Sequence, residues 1–159
     1  MDICIDFDGT CVKHMYPLIG EDIGAQKVLK NLVKQGHNLI LFTMRSGFEL
    51  DEAVKWFEEN GIELYGINTH PKQAVWTQSP KAYGQLYIDD AALGVPLIYP
   101  KDKRAYVDWV EVERWLISRN ILTEKIEYEG VICRGSIVLG NACGICEKCE
   151  DELNRLNER

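Results

Sequence analysis

Residues 1–10 read Met1-Asp2-Ile3-Cys4-Ile5-Asp6-Phe7-Asp8-Gly9-Thr10. Ile3, Cys4 and Ile5 form an unbroken apolar run, acids follow at once, and Asp8-Gly9 is a turn signal. A short run that is apolar at successive positions suits a strand covered on both faces, the habit of a central strand in a parallel sheet. The same ten residues place two carboxylates, Asp6 and Asp8, at the strand's C-terminal end.

Outward from this stretch, the spacing of Ile23, Val28, Leu29, Leu32 and Val33 predicts a helix that stops at Gly36. Leu39–Phe42 is a second apolar strand ending at Thr43. Ser46 and Glu49 then form a capping-box pattern ahead of a helix carrying Leu50, Ala53, Val54 and Phe57, with Gly61 as its stop. A third strand is expected near Leu64–Ile67, followed by a loop over 68–79 that holds His70, Pro71 and Trp76. Ser79-Pro80 has the cap and first-turn chemistry of a short helix beginning at Lys81. Leu86–Ile88 reads as a fourth strand ending at Asp89-Asp90, and Pro96–Tyr99 as a fifth. Asp108 and Glu111 open a last helix whose Trp109 and Trp115 read as core residues. Strands alternating with helices predict an α/β, doubly wound fold with a parallel sheet over residues 1–122. Ligands bind such sheets outside the strand C-termini.

Composition changes near Leu122. Residues 133–149 hold four of the six cysteines as Cys133-x9-Cys143-x2-Cys146-x2-Cys149. Four thiolates at short spacing suit a closed tetrahedral zinc site, and Gly144 permits a tight turn between close ligands. An iron–sulfur cluster is the rival occupant, since close Cys-x2-Cys runs also hold one. A small metal-binding tail over 123–159 is therefore expected, with a structural role. Cys4 and Cys11 read as small core or loop residues.

The whole chain narrows the function classes. It has 159 residues, 46% of them hydrophobic and 27% charged, an ordinary globular balance. The net charge of −7 disfavours broad binding to nucleic-acid backbones. No run nears the roughly 18 apolar residues needed to span a membrane. Asp2, Asp6 and Asp8 break any N-terminal signal pattern, so a cytoplasmic location is expected, with the cysteines not in stable disulfides. The oligomeric state is left open.

Asp6, Asp8, Thr43, Asp89 and Asp90 all fall at strand ends, so one sheet edge gathers four carboxylates and a hydroxyl. Crowded carboxylates repel unless a cation neutralises them, and an all-oxygen donor set favours magnesium. In order and spacing, Asp6-Phe7-Asp8-Gly9-Thr10, Thr43, Lys81 and Asp89-Asp90 resemble the four signatures of the haloacid dehalogenase superfamily of phosphohydrolases across residues 1–100. The fold this resemblance implies is a Rossmann-like catalytic domain. The activity it implies is phosphomonoester hydrolysis, with Asp6 as the nucleophile that becomes an aspartyl-phosphate. Asp8 would be the general acid and then base, Thr43 a donor to a phosphoryl oxygen, and Lys81 a compensating charge. Asp6, the carbonyl of Asp8, and Asp89 or Asp90 would hold Mg2+, with Asp89 favoured as the direct ligand. The adjacency of Asp89 and Asp90 departs from the wider spacing of many relatives.

Local residues suggest how a substrate would be met. Gly9 allows a tight turn whose amides would face a phosphate, with Thr10 beside it. Arg45, two residues beyond Thr43, would reach a second anionic group, and His14 would touch substrate or carry protons. The intervals 11–42 and 44–80 are too short for an inserted cap domain, which implies an open site. In the tail, Ala142-Cys143-Gly144-Ile145-Cys146-Glu147-Lys148-Cys149 resembles the zinc cradle of the 7-cyano-7-deazaguanine synthases, whose catalytic core has no counterpart here. Two other readings stand beside the phosphatase. One is a nucleic-acid-end or nucleotide phosphatase that grips its substrate with the zinc tail. The other is a non-catalytic metal-binding interaction module.

Overall fold

The computed structural model describes residues 1–123. The chain divides at Leu122. Cys133, Cys143, Cys146 and Cys149, and with them the expected metal-binding tail, lie outside the described residues.

The first unit is α/β. Strand β1 (Asp2–Ile5), helix α1 (Ala25–Lys34), β2 (Asn38–Leu41), α2 (Gly47–Glu59), β3 (Gly66–Ile67) and β4 (Leu86–Ile88) follow in order. The strands form one four-stranded sheet in the order β3-β2-β1-β4. Every pairing in it is parallel, with Ile3 opposite both Leu39 and Leu86, and Ile5 opposite both Leu41 and Ile88. The opening decapeptide therefore supplies a central strand. Its residues alternate between faces. Phe7 packs edge-on to Trp56 of α2 at 5.5 Å and against Phe57 at 5.9 Å. On the other face Cys4, Ile40 and Ala82 pack with Phe42, Tyr65 and Tyr87.

Four sequence expectations change. The fifth strand exists as β5 (Leu97–Ile98), but it pairs antiparallel with β6 (Tyr106–Val107) in a separate two-stranded ribbon and does not extend the main sheet. No helix starts at Ser79-Pro80. Instead the Gln73 side chain accepts from Tyr83 N at 2.8 Å and donates to the carbonyls of Ser79 and Lys81 at 2.9 and 3.2 Å. It thereby satisfies backbone groups that a helix would otherwise have paired. A single 3-10 turn, Gln73–Val75, precedes this loop. At Ser46 the N-cap position is correct, but the serine makes no side-chain capping bond. Asp108 does cap α3 (Trp109–Ser118), accepting from Val110 N and Glu111 N. In that helix Trp109 is buried as expected, whereas Trp115 is 39% exposed.

The segment after β3 also leaves the sheet edge sooner than its sequence position suggests. His70 is buried between Tyr65 and Tyr83, with Nε2 3.4 Å from Asp2 Oδ2, at the N-terminal end of β1. It is thus remote from the carboxylate edge, and Trp76 rests its ring edge against Tyr83 at 5.5 Å while 63% exposed.

A candidate carboxylate site at the sheet edge

Because β1 lies between β2 and β4, the residues that follow these strands converge. Asp6 follows β1, with its amide donating to Ile88 O at 3.0 Å. Thr43 follows β2, and Asp89 and Asp90 follow β4. Asp6, Asp89 and Asp90 each present a carboxylate oxygen within 4.8 Å of the others. Burial, with the negative charges of Asp89 and Asp90 behind it, pushes the Asp6 carboxyl up to about 7. A hydrogen bond from the Phe7 amide, second only to burial in size, and one from the Thr10 hydroxyl act in the opposite direction.

This cluster is tied together from beneath. Thr10 is fully buried. Its hydroxyl donates to Asp6 Oδ2 at 3.1 Å and accepts from Asp90 N at 2.9 Å, while its carbonyl accepts from Trp109 Nε1 at 2.6 Å. Asp89 Oδ1 accepts from Ala91 N at 2.8 Å, and Asp90 Oδ2 lies 2.9 Å from His14 Nε2. Each of these two carboxylates thus keeps one oxygen that takes no hydrogen bond among the described residues. The donor set is hard, compact and oxygen-only, which fits magnesium and gives a thiophilic metal little to hold.

The remaining predicted residues divide. Thr43 stands at the edge. Its amide donates to Asn68 Oδ1 at 2.8 Å and its oxygen accepts from Arg45 N at 3.2 Å, so its hydroxyl hydrogen has no acceptor among the described residues. Asp8 is held by Arg45, with Nε to Oδ2 at 2.6 Å and Nη2 to Oδ1 at 2.7 Å. Lys81 is exposed on the loop before β4. Its ammonium lies 5.1 Å from the Tyr87 ring centre, and no ion pair joins it to Asp6 among the described residues.

Three expected substrate contacts turn inward. Gly9 is buried with its N–H on Val12 O at 2.7 Å, and its carbonyl accepts from Val107 N, so its amide does not face a ligand. Its role is space: at φ +85°, an added Cβ would stand 2.2 Å from His14 Nε2 and 2.7 Å from Asp90 Oδ2. Thr10 supports the acids and has no surface. Arg45 is 2% exposed, with its donors engaged inside the chain. Only His14, its side chain 14% exposed, remains within reach of a ligand at this edge.

Two participants escaped the sequence reading. Asn68 fixes Thr43 from a positive φ of 52°, a conformation that asparagine tolerates better than most residues. An asparagine just past β3 was the available signal. Trp109 has a core residue's pattern, yet a buried indole N–H requires an acceptor, and here that acceptor is the Thr10 carbonyl on the loop after β1.

The raised Asp6 carboxyl carries a pH prediction. Its folded value lies above its ordinary 3.8, so the fold favours the protonated form. The free chain therefore loses stability as pH climbs from about 4 through about 7. A cation that pairs with the ionised cluster offsets this loss. Millimolar Mg2+ should raise the melting temperature more at pH 8 than at pH 5.5, and a hundredfold excess over its dissociation constant should add about 2.7 kcal/mol of stability in all. Scanning calorimetry at both pH values checks it. Equal shifts would remove Asp6 from the cation site.

Among solved structures, the chain is similar to a conserved protein from Bacteroides thetaiotaomicron. Identity is 37%, the TM-score is 0.60, and the match covers 76% of this chain and 90% of that one. No family model matches the chain and no curated protein matches it.

Proposed function

We propose that this chain, which belongs to the same family as the conserved Bacteroides thetaiotaomicron protein, is a magnesium-dependent phosphomonoester hydrolase of haloacid dehalogenase type. The observation that carries the reading is the convergence of Asp6, Asp89 and Asp90 to within 4.8 Å at one parallel-sheet edge, with Asp8 and Thr43 on the adjoining loops. The raised Asp6 carboxyl is the second support, because perturbed acids gather where charge chemistry is done.

In this reading Asp6 attacks phosphorus and is later released by water. Asp8 gives its proton to the leaving oxygen and then takes one from that water. Thr43 donates its free hydroxyl hydrogen to a phosphoryl oxygen. Asp6, the Asp8 carbonyl, Asp89 and Asp90 would hold Mg2+, which supplies positive charge against the phosphate and the developing transition state. Lys81 contributes charge from a flexible four-carbon stem rather than a fixed fork. Both intervals between the site's segments lack the length for a cap domain, so the edge is open to its substrate.

The four tail cysteines support a structural zinc, since a closed thiolate set leaves no open position for water. Elemental analysis of purified protein should give about one zinc per chain. Iron, with a visible absorption band, would replace zinc with a cluster. A panel of phosphorylated metabolites beside 3′- and 5′-phosphorylated oligonucleotides tests the main reading. Turnover confined to oligonucleotides would favour the nucleic-acid-end alternative, and no turnover at all would favour the binding module.

A further inference from the structure

Arg45 has an environment that simple packing does not require. A guanidinium carries five N–H donors and no acceptor. Nε and Nη2 grip the two oxygens of Asp8 at 2.6 and 2.7 Å. Nη2 also donates to Leu18 O at 2.8 Å, and Nη1 donates to Pro17 O at 3.0 Å and Glu49 O at 3.4 Å. The Phe7 and Tyr16 rings lie 5.1 and 5.3 Å from its central carbon. One side chain thus binds the nucleophile loop, the 17–18 segment and the start of α2 around a single carboxylate. A buried charge with this many partners fixes its neighbour's geometry, because bidentate pairing sets both distance and plane.

We propose that Arg45 is the positioning residue of Asp8, setting how well the leaving oxygen is protonated; this rests on the hydrolase reading above. In the first half-reaction an Asp6 oxygen bonds to phosphorus, the bond from phosphorus to the leaving oxygen breaks, and that oxygen takes the proton of Asp8. The resulting Asp8 carboxylate is the form that Arg45 holds in the observed pair. In the second half, water gives a proton to Asp8, its oxygen bonds to phosphorus, and the bond to Asp6 breaks. Arg45 spends its donors on Asp8 and on the carbonyls of Pro17, Leu18 and Glu49. It keeps the Asp8 carboxylate in one orientation, so that it meets each reacting oxygen from the same place.

The distinguishing property of a misplaced acid is leaving-group dependence. A 4-nitrophenolate departs without a proton, whereas an alkoxide needs one. Arg45→Lys and Arg45→Gln should lower kcat/KM about tenfold on 4-nitrophenyl phosphate and about a hundred- to a thousandfold on a simple alkyl phosphate, within the range assigned to proton transfer. Asp8→Asn should show the same bias. KM and the Mg2+ affinity measured by calorimetric titration should stay within about threefold of wild type. Tyr16→Leu, a change at a side chain 64% exposed, removes one ring from the guanidinium and leaves its hydrogen bonds. It should weaken alkyl phosphate turnover several-fold and spare the aryl substrate, and it serves where Arg45 variants fail to fold. Equal losses on both substrates in an active protein overturn the inference alone, as does a raised KM with kcat unchanged, which would return Arg45 to substrate binding. A wild-type chain that hydrolyses no phosphate overturns the hydrolase reading and this inference with it.

Discussion

Asp6→Asn should abolish magnesium-dependent hydrolysis of an aryl phosphate, lowering kcat by at least about a thousandfold, while leaving the protein folded. The amide is nearly the size of the carboxylate and still accepts the Thr10 hydroxyl that now lies 3.1 Å from Oδ2. What it loses is nucleophilicity, and a nucleophile removed from a coupled site typically takes most of the rate with it. The same substitution relieves a repulsion. Asp6 is raised to about 7 by burial and by the charges of Asp89 and Asp90, so an uncharged side chain there stabilises the metal-free fold at pH 8. The variant should therefore be inactive with a melting temperature equal to or above wild type when no metal is added. Its stabilisation by Mg2+ should shrink, because one of three converging oxygens has lost its charge. Inactivity with a lower melting temperature would mean that the side chain supports the fold and that the activity loss is secondary. Near-wild-type turnover would move the nucleophile elsewhere on the edge.

The sheet and the acids were legible for a common reason. Ile3-Cys4-Ile5, Leu39-Ile40-Leu41 and Leu86-Tyr87-Ile88 are short unbroken apolar runs, the local imprint of strands in a parallel sheet; the first two are fully buried and the third, at the sheet's edge, half-buried. Once these runs pair in parallel, the residues after them must share an edge, so Asp6, Thr43 and Asp89 follow from chain order alone. What failed depended on distant partners. Arg45 looks like a substrate contact when only its distance from Thr43 is known. Its burial follows from the return of the 8–18 loop, which places Asp8, Pro17 and Leu18 around it. Gly9 and Thr10 are similar cases. Their polar groups are taken up by Val12, Val107, Asp90 and Trp109, residues up to 99 positions away. Lys81 was placed on a helix by Ser79-Pro80, a local signal that the side chain of Gln73 overrides by capturing the backbone groups around it.

Trp109 gives the second large effect, because it joins packing to the site. It is 1% exposed at the first turn of α3, and its indole N–H donates at 2.6 Å to the Thr10 carbonyl. Trp109→Ala should cost about 3–5 kcal/mol, the usual range for emptying a buried aromatic site, which is a large share of a domain's total stability. Trp109→Phe keeps most of the volume and leaves the buried carbonyl without its donor, at about 1–3 kcal/mol. Chemical denaturation of both variants separates the packing loss from the hydrogen-bond loss. The site should respond as well, since the same Thr10 bridges Asp6 Oδ2 and Asp90 N through its hydroxyl. Thr10→Val removes that bridge and keeps the carbonyl for Trp109, so it should weaken Mg2+ binding at a smaller cost in stability than Trp109→Ala. If α3 orders the carboxylates through Thr10, the effects of Trp109→Phe and Thr10→Val on Mg2+ affinity will not add in the double variant, because both break one chain of contacts. Strict additivity would mean that Trp109 anchors the fold alone and the carboxylate edge is set by the strands themselves.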